Sequence, residues 1–501
     1  MSKRALLGLA GAGLFVAALD AYVVVTLLPA MTGDVGLSID QLDKAAPIVT
    51  GFLAGYVIAM PLLGAYSDVR GRAPVYAACM AAFAAASVIT ATAGLWSFAG
   101  LPWLVAGRFI QGLGGGGLVP LSLALAADLY RERARTIALG SMAALQEAGS
   151  VFGPLYGATL ASVAAGLGGW RFVFWLNVPL AVICGAGLLA ASRHATPQPS
   201  PTRSSVDWAG AALLGIGLGL LVLALYPDDP GHRAVNAYFV PAFAACVVCL
   251  AAYGWRQLRR LEPLIPRHLL RSRIFAGASL ANLLVGAALM VALVDVPILG
   301  RLVFGLDQLG SGLLLTQFLA GVPIGAVAGG ILAGRIGARL TAAIGVMVAA
   351  ASFLQMSGWT ANELALRLGP LRQADIALAA CGLGFGLVIA PVTAAVLTLT
   401  SQQSHGLATS LVVLARTMGM LIGLSALTAF GLYRFHQILG TPVLHGSDVH
   451  SQVRELEALV ASAFLREYRE IFQVAAVICV LAALTIALTL GPQRLRATAI
   501  R

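Results

Sequence analysis

Four charged side chains stand inside long apolar stretches of this 501-residue sequence, where ionised groups are rare. Asp20 lies in the middle of the run FVAALDAYVVVTLLPAM, and Glu147, Arg108 and Arg416 interrupt three other apolar stretches. A charge at the centre of a membrane-spanning helix costs about 2.5–3.5 kcal/mol even on insertion scales. A carboxylate beside a movable arginine can bind and release a proton, and this is the chemistry that these residue types offer.

Three of the four charges are expected at similar depths in a membrane. Counted from the cytoplasmic helix ends at 1.5 Å per residue, Asp20, Glu147 and Arg416 lie about 15–23 Å deep. We expect Arg416 to compensate Asp20 or Glu147, and one of the two carboxylates to bind a coupling proton when the arginine moves away. A static structural ion pair is the alternative. Arg108, near the outer end of its span, either reaches a proton path or extends outward to the membrane surface.

The composition predicts an all-α polytopic membrane protein. The chain is 59% hydrophobic and only 11% charged, whereas soluble domains carry about 25% charged residues. Apolar stretches of spanning length predict fourteen helices, at about 5–30, 45–66, 74–95, 101–127, 136–164, 171–191, 207–226, 236–256, 274–299, 309–333, 340–358, 373–398, 406–432 and 471–491.

The distribution of basic residues predicts the orientation. With the N-terminus in the cytoplasm, most of the 32 Lys and Arg residues fall on cytoplasmic segments, as the positive-inside rule requires. Both termini are then cytoplasmic, in a cytoplasmic (inner) membrane, and the net charge of +11 needs no nucleic-acid partner. Neither Lys3 nor Lys44 follows a glycine, so a phosphate-binding G-x-x-x-x-G-K-[ST] loop is excluded. Transport would therefore draw on a gradient or on another subunit.

No catalytic, cofactor or metal site is expected. All six cysteines lie in apolar runs, and the pair Cys246-x-x-Cys249 lacks an accompanying histidine or second pair. No buried Ser–His or His–carboxylate set stands out, so a membrane-embedded enzyme is an unlikely alternative.

Two segments suggest an internal repeat. GAYSDVRGR (Gly64–Arg72) and GILAGRIGAR (Gly330–Arg339) each follow the second span of a six-span block, with the same spacing between their glycines. We therefore expect two six-helix bundles, at 1–192 and 272–501, and a linker with two inserted helices at 193–271. Many secondary transporters are built from two such halves around a central cavity.

Five motifs in order resemble the major facilitator superfamily, specifically its fourteen-helix drug:proton antiporter branch. They are LDAYVVVTLLPAM, GAYSDVRGR, RFIQGLGGGG (Arg108–Gly117), GSVFGPLYGA (Gly149–Ala158) and WRFVFWLNVPL (Trp170–Leu180). The third and fourth resemble the helix 4 motif and the helix 5 antiporter motif, the latter with Ala158 in place of its final glycine.

The resemblance implies roles for two of these motifs. The first loop would gate the cytoplasmic side through Gly64, Asp68, Arg70, Gly71 and Arg72. Asp68 would contact the other half near the start of the helix that begins around His405, where a carboxylate is favoured; simple balancing of the nearby arginines is the alternative. In the helix 5 motif the resemblance implies a hinge, and the glycine spacing predicts close helix packing; the residues are Gly149, Gly153, Pro154 and Gly157.

The segment VHSQVRELEALVASAFLREYREIFQ (Val449–Gln473) departs from a short outer loop. Its apolar residues follow helical spacing and run into the last span without a proline or glycine. We predict a helix continuing that span outward over about 449–470, roughly 30 Å; a helix lying flat on the membrane is the alternative. Such a stalk resembles the mycobacterial triacylglyceride exporters of the same superfamily, which work with a periplasmic lipoprotein.

Together these features predict a proton-coupled exporter of triacylglyceride-like lipids or lipophilic drugs, working by alternating access. Its expected partners are a membrane lipid or lipophilic small molecule, protons and a periplasmic lipoprotein, and a monomer is expected. The alternatives are a multidrug antiporter without a lipid role, a nutrient importer and a sensor that transports nothing.

Overall fold

The computed structural model describes most of the chain, with gaps mainly in connecting segments. The described residues are 3–35, 46–96, 100–164, 166, 168–192, 207–225, 235–260, 263, 265–306, 308–368, 371–399, 405–439 and 449–490. They are almost entirely helical, which confirms the all-α prediction. Within lipid every backbone polar group must be bonded inside its own segment, and a continuous helix achieves this.

The first half contains six long helices: α1 (Lys3–Asp34), α2 (Ala46–Arg70), α3 (Arg72–Ala91), α4 (Leu101–Leu129), α5 (Glu132–Val163) and α6 (Trp170–Ser192). A pair follows, α7 (Trp208–Leu225) and α8 (Phe239–Arg259), and then the short α9 (Arg267–Leu270).

The second half contains α10 (Arg273–Leu302), the short α11 (Gln308–Leu314) that leads into α12 (Thr316–Ile336), α13 (Ala338–Met356), α14 (Gln373–Leu397), α15 (His405–Leu439) and α16 (Val449–Thr489). A two-stranded antiparallel sheet, β1 (Arg367–Leu368) and β2 (Leu371–Arg372), lies between α13 and α14.

The described part of the chain agrees approximately with the fourteen predicted spans. Thirteen of its helical stretches are long and apolar enough to cross a membrane. Helix α5 is not among these thirteen described stretches. Its sequence carries Glu132, Arg133, Arg135 and Glu147, and it packs between α1 and α12, at the boundary of the two halves.

The two halves repeat the same packing. In the first half α1 packs on α5, α2 on α4, and α3 on α4 and α6; in the second, α10 packs on α15, α12 on α14, and α13 on α14 and α16. The loops GAYSDVRGR and GILAGRIGAR also share one backbone conformation. Gly71 has φ 92° and ψ 152°, and Gly337 has φ 90° and ψ 155°, each immediately before the next helix. Because φ is positive, only glycine adopts this turn without strain.

The helices alternate in direction, so the bundle has two ends. We call the end where α2 meets α3 and α12 meets α13 the basic end, since Arg70, Arg72, Arg335 and Arg339 lie there. The other is the opposite end. Helices α1, α5, α10 and α15 begin at the basic end, whereas α16 begins at the opposite end.

Two helices are much longer than a bilayer requires. Helix α15 has 35 residues and α16 has 41, or about 53 and 62 Å at 1.5 Å per residue, against a hydrocarbon core of about 30 Å. Helix α16 runs unbroken from Val449 to Thr489, as expected for a continued last span. The accompanying extension of α15 to Leu439 was not predicted, since that span was placed at 406–432.

Candidate functional site

Asp20 and Arg108 form a buried ion pair inside the first half. Nη1 of Arg108, on α4, donates to Oδ2 of Asp20, on α1, at 2.6 Å, and the two side chains are 1% and 0% exposed. Nδ2 of Asn177, on α6, donates to the other carboxylate oxygen at 2.7 Å. Three helices therefore converge on one carboxylate. An ionised carboxylate tolerates such burial only with partners of this kind.

A second layer of polar groups fixes Arg108. Gln111, one turn further along α4, accepts from the same Nη1 at 3.0 Å through Oε1, and its Nε2 donates to Ser87 Oγ at 2.9 Å. The guanidinium carbon lies 4.3 Å from the centroid of the Phe52 ring and 5.9 Å from that of Phe174. This aromatic contact stabilises the cation and excludes water from the pair.

These contacts decide between the alternatives for Asp20 and Arg108. The neighbour of Asp20 is Arg108 and not Arg416. Arg108 is directed inward rather than to the membrane surface, because it donates to Asp20 on α1 and to Gln111 on its own helix.

Glu147 and Arg416 form a second ion pair, and this one joins the two halves. Nη2 of Arg416, on α15, lies 3.0 Å from Oε1 of Glu147, on α5. The side chains are 10% and 16% exposed, and within the described residues Nη1 of Arg416 is buried without a hydrogen-bond partner. The pair is thus less enclosed and less fully bonded than Asp20–Arg108, so it is easier to separate.

A cluster of charges connects the halves at the basic end. The backbone N–H of Leu407, in the first turn of α15, donates to Asp68 Oδ2 at 3.0 Å. Nδ1 of His405 lies 2.8 Å from Oδ1 of Asp128, at the end of α4. Arg72 pairs with Asp68 in its own half and with Asp128 Oδ2 at 3.1 Å. The helix N-terminus favours the Asp68 carboxylate.

The remaining residues of the predicted gating loop have simpler environments. Arg70 is the last residue of α2 and is exposed. The carbonyl of Gly64 accepts from Ser67 Oγ at 2.8 Å, and Ser67 Oγ accepts in turn from Arg72 Nη1 at 2.7 Å. Gly71 provides the left-handed turn that aims Arg72 at this cluster.

The helix 5 motif packs against the helix that carries Asp20. A Cβ on Gly149 would lie 2.7 Å from the carbonyl oxygen of Phe15, and one on Gly153 would lie 2.8 Å from that of Leu19. The backbones of α1 and α5 are therefore in contact within two turns of Asp20 and Glu147. Gly157 is buried, and the side chain of Pro154 lies outside the described residues.

Small residues also bring the halves together near the basic end. A Cβ on Gly140, in α5, would lie 2.7 Å from the carbonyl oxygen of Ala326, and one on Gly330, in α12, would lie 2.7 Å from that of Thr136. Further along, Thr409 Oγ1 donates to the carbonyl of Pro120, in α4, at 3.2 Å. Together with the charged cluster, these contacts join the halves at this end.

The helices α15 and α16 stay paired towards the opposite end. Arg434 donates to both carboxylate oxygens of Glu470 at 2.6 Å, and the rings of Phe435 and Phe464 stack with centroids 4.4 Å apart. The two long helices therefore form a paired hairpin at this end.

Sequence reasoning missed Gln111, Asn177 and the part played by His405. Gln111 and Asn177 were inside quoted motifs, each a lone amide within an apolar span, and that polarity was the available signal. Asp128, at the end of α4, contacts Arg72 and His405. Among the described residues no group of three metal-ligating side chains comes together.

Comparison with known proteins places this geometry in context. The sequence model described as Major Facilitator Superfamily matches residues 10–424. A triacylglyceride transporter of Mycolicibacterium smegmatis is 42% identical over 480 residues, which cover 93% of this chain and 84% of that protein. A triacylglyceride transporter of Mycobacterium tuberculosis is 40% identical over 493 residues, which cover 96% of this chain and 93% of that protein.

Two solved structures share the fold at low sequence identity. The human organic anion transporter MFSD10 has a TM-score of 0.62 at 17% identity, covering 97% of this chain and 100% of its own. The proton:xylose symporter XylE has a TM-score of 0.57 at 14% identity, covering 98% and 96%.

Proposed function

We propose that this chain, which belongs to the major facilitator superfamily, is a proton-coupled exporter of triacylglyceride-like lipids or lipophilic drugs across the cytoplasmic membrane. The chain is a multi-pass membrane transporter and not an enzyme, by its family and by the names of its relatives. Those relatives support a lipid as the cargo. The coupling ion, the direction and the mechanism are parts of the proposal.

The observation that carries the proposal is the Glu147–Arg416 pair between the two halves. Both residues lie on helices that contact the other half, α5 and α15. When the halves rotate apart at the basic end, the two side chains separate. Glu147 then loses its counter-charge while remaining largely buried, and protonation becomes the favourable way to neutralise it.

Asp20 and Arg108 have a different role in this account. Both residues belong to the first half, so their pair moves as a unit. It lies beside the α1–α5 contact at Gly149 and Gly153, and a proton on Asp20 would release Arg108 and loosen that contact. We therefore propose that Glu147 senses the arrangement of the halves and that Asp20 binds the coupling proton within the first half.

The contacts at the basic end act as a latch in this cycle. Asp68 and Asp128 in the first half hold the first turn of α15 through Leu407 and His405. This arrangement keeps the basic end, which we assign to the cytoplasm, closed. Alternating access requires that these contacts break together when the cavity opens to the cytoplasm.

The hairpin of α15 and α16 supports a lipoprotein partner on the outer side. It is held together by Arg434–Glu470 and the stacked Phe435 and Phe464. A photo-crosslinking residue at Leu459, which is 38% exposed in this hairpin, should capture a periplasmic lipoprotein in cells. The same residue at Leu488, which is 84% exposed at the basic end of the same helix, should not.

Reconstituted vesicles test the proposed function. A fluorescent triacylglyceride and a lipophilic cationic dye are followed side by side, with and without an imposed pH gradient. Gradient-dependent movement of the triacylglyceride supports lipid export. Movement of the dye alone would identify a drug antiporter without a lipid role, and movement of neither would contradict the proposal.

A further inference from the structure

Two carboxylates of the second half differ from the other acidic groups described above. Asp20, Glu147 and Glu470 each contact an arginine, whereas within the described residues Asp295, on α10, and Glu467, on α16, form no ion pair. Glu467 is 7% exposed, and its Oε2 atom is buried without a hydrogen-bond partner in the described part of the chain. An unpaired buried charge is strongly unfavourable, so this arrangement needs a bound positive charge or proton.

The register of α10 against α15 brings Asp295 to the level of Gly431, the residue of α15 that Glu467 contacts. Helices α10 and α15 run in the same direction, and Gly419 and Gly423 lie against Leu283 and Ala287, respectively. In both contacts the residue on α15 differs from its partner on α10 by the same number of positions, so the two helices stay in register. Advancing each helix by eight residues, about 12 Å, brings Asp295 level with Gly431.

Glu467 reaches the same level from α16. Its Oε1 atom lies directly against Gly431, where a Cβ would collide with it. Helix α10 packs on both α15 and α16, so the three helices meet around this point.

The arginine of α15 closest in sequence to Gly431 is already paired. Arg434, on α15, donates two hydrogen bonds to Glu470. Tyr468, the residue next to Glu467, is buried. Asp295 also borders a small pocket whose other walls are mainly aliphatic, including Val294, Leu424 and Leu427. Aliphatic walls offer no ligands for a metal cation.

We propose that Asp295 and Glu467 share one proton and so form a proton-binding carboxyl pair in the second half, separate from Asp20 and Glu147. Two carboxyls close together in a poorly solvated site cannot both remain ionised, so the pair as a whole holds a proton that is released only at high pH. The pair lies towards the opposite end, where protons from the outer side would arrive.

Infrared spectroscopy of the purified full-length protein tests the proposal without a transport assay. A protonated carboxyl has a carbonyl stretch that a carboxylate lacks. The double variant of Glu467→Gln with Asp295→Asn should lose protonated-carboxyl amplitude that the wild type has at neutral pH. Each single variant should lose that amplitude at a lower pH than the wild type, because its remaining carboxyl no longer faces a second carboxylate. Glu470→Gln is the matched control, since Glu470 lies on the same helix but is paired with Arg434, and it should leave that amplitude unchanged.

Thermal unfolding against pH gives a second readout. Since the folded pair binds its proton more tightly than the unfolded chain does, the wild type should lose stability as the pH rises through the release of that proton. The Tm of Glu467→Gln should fall less over the same range, and that of Glu470→Gln should follow the wild type with a constant offset.

Two results would overturn the assignment. One is a set of infrared spectra in which both variants coincide with the wild type at every pH. The other is a wild-type Tm that rises with added sodium while the variants do not respond, which would identify a metal cation as the ligand. Either result leaves the proposed export function untouched, because transport is measured separately.

Discussion

Arg416 on α15 lies 3.0 Å from Glu147 on α5, so this ion pair connects the two halves of the transporter. The other intramembrane pair, Asp20 with Arg108, lies wholly within the first half. One pair therefore depends on the relative position of the halves, whereas the other does not. This difference leads to separate expectations for each pair.

Removing Arg108 should damage the fold more than removing both members of its pair. Arg108→Met leaves Asp20 buried and without its counter-charge, and losing one partner of a buried pair costs about 3–5 kcal/mol. Asp20→Asn with Arg108→Met removes both charges and should recover most of that loss. The free energies of unfolding of both single variants and the double variant, measured in one detergent, give the coupling energy. If the losses in the two single variants simply added up in the double variant, Asp20 and Arg108 would not stabilise each other, and the ion pair would be contradicted.

Asp20→Asn alone should separate folding from transport. The asparagine keeps one oxygen that can accept from Arg108 but turns an amide nitrogen towards Asn177, so the protein should fold with reduced stability, and it cannot bind the coupling proton. Gradient-driven export should be lost while thermal unfolding remains cooperative. Normal export by this variant would refute the role of Asp20 in proton binding.

Asp68→Ala should loosen the first turn of α15. The carboxylate accepts from the Leu407 N–H, and losing such a helix-terminal partner costs about 0.5–2 kcal/mol. Hydrogen–deuterium exchange in the peptide that contains Leu407 should become roughly 2- to 30-fold faster. Arg70→Gln is the control, because Arg70 is an exposed residue of the same loop. Equal exchange in Asp68→Ala and the wild type would show that the contact does not hold the halves together.

Gly330→Ala should prevent the halves from closing fully at the basic end. The added Cβ would lie 2.7 Å from the Thr136 carbonyl oxygen, a backbone atom that cannot move aside cheaply. We expect slower export and faster exchange at Leu407, without a large loss of helix content. Gly8→Ala is the control, since a Cβ on Gly8 meets nothing within 4 Å. Unchanged export by Gly330→Ala would mean that this close approach is not needed.

The sequence was sufficient for the helices and for the set of buried charges, because both follow from local composition. The choice of partners was not predictable from it. Whether Asp20 contacts Arg108 or Arg416 depends on the rotation of α1 about its axis, which packing against Gly149 and Gly153 determines. Asn177 and Gln111 reach the site from α6 and α4. Where these helices cross α1 depends on tertiary packing, which the local sequence does not predict.

The outer extension shows the same limit. The unbroken apolar stripe of the last span predicted the continuation of α16. The matching extension of α15 had no such stripe, and it is stabilised by tertiary contacts such as Phe435 with Phe464. Similarly, the level position of Asp295 and Glu467 arises from the parallel register of α10 and α15, which the sequence alone does not state.

The most direct test of the central claim is pH-gradient-driven export of a fluorescent triacylglyceride by vesicles that contain wild type, Glu147→Gln or Arg70→Gln. The account predicts that the wild type and Arg70→Gln respond to the gradient and that Glu147→Gln moves lipid at a rate independent of it. A Glu147→Gln variant whose export still rises with the gradient, to the extent seen in the wild type, would contradict proton coupling through the pair that joins the halves.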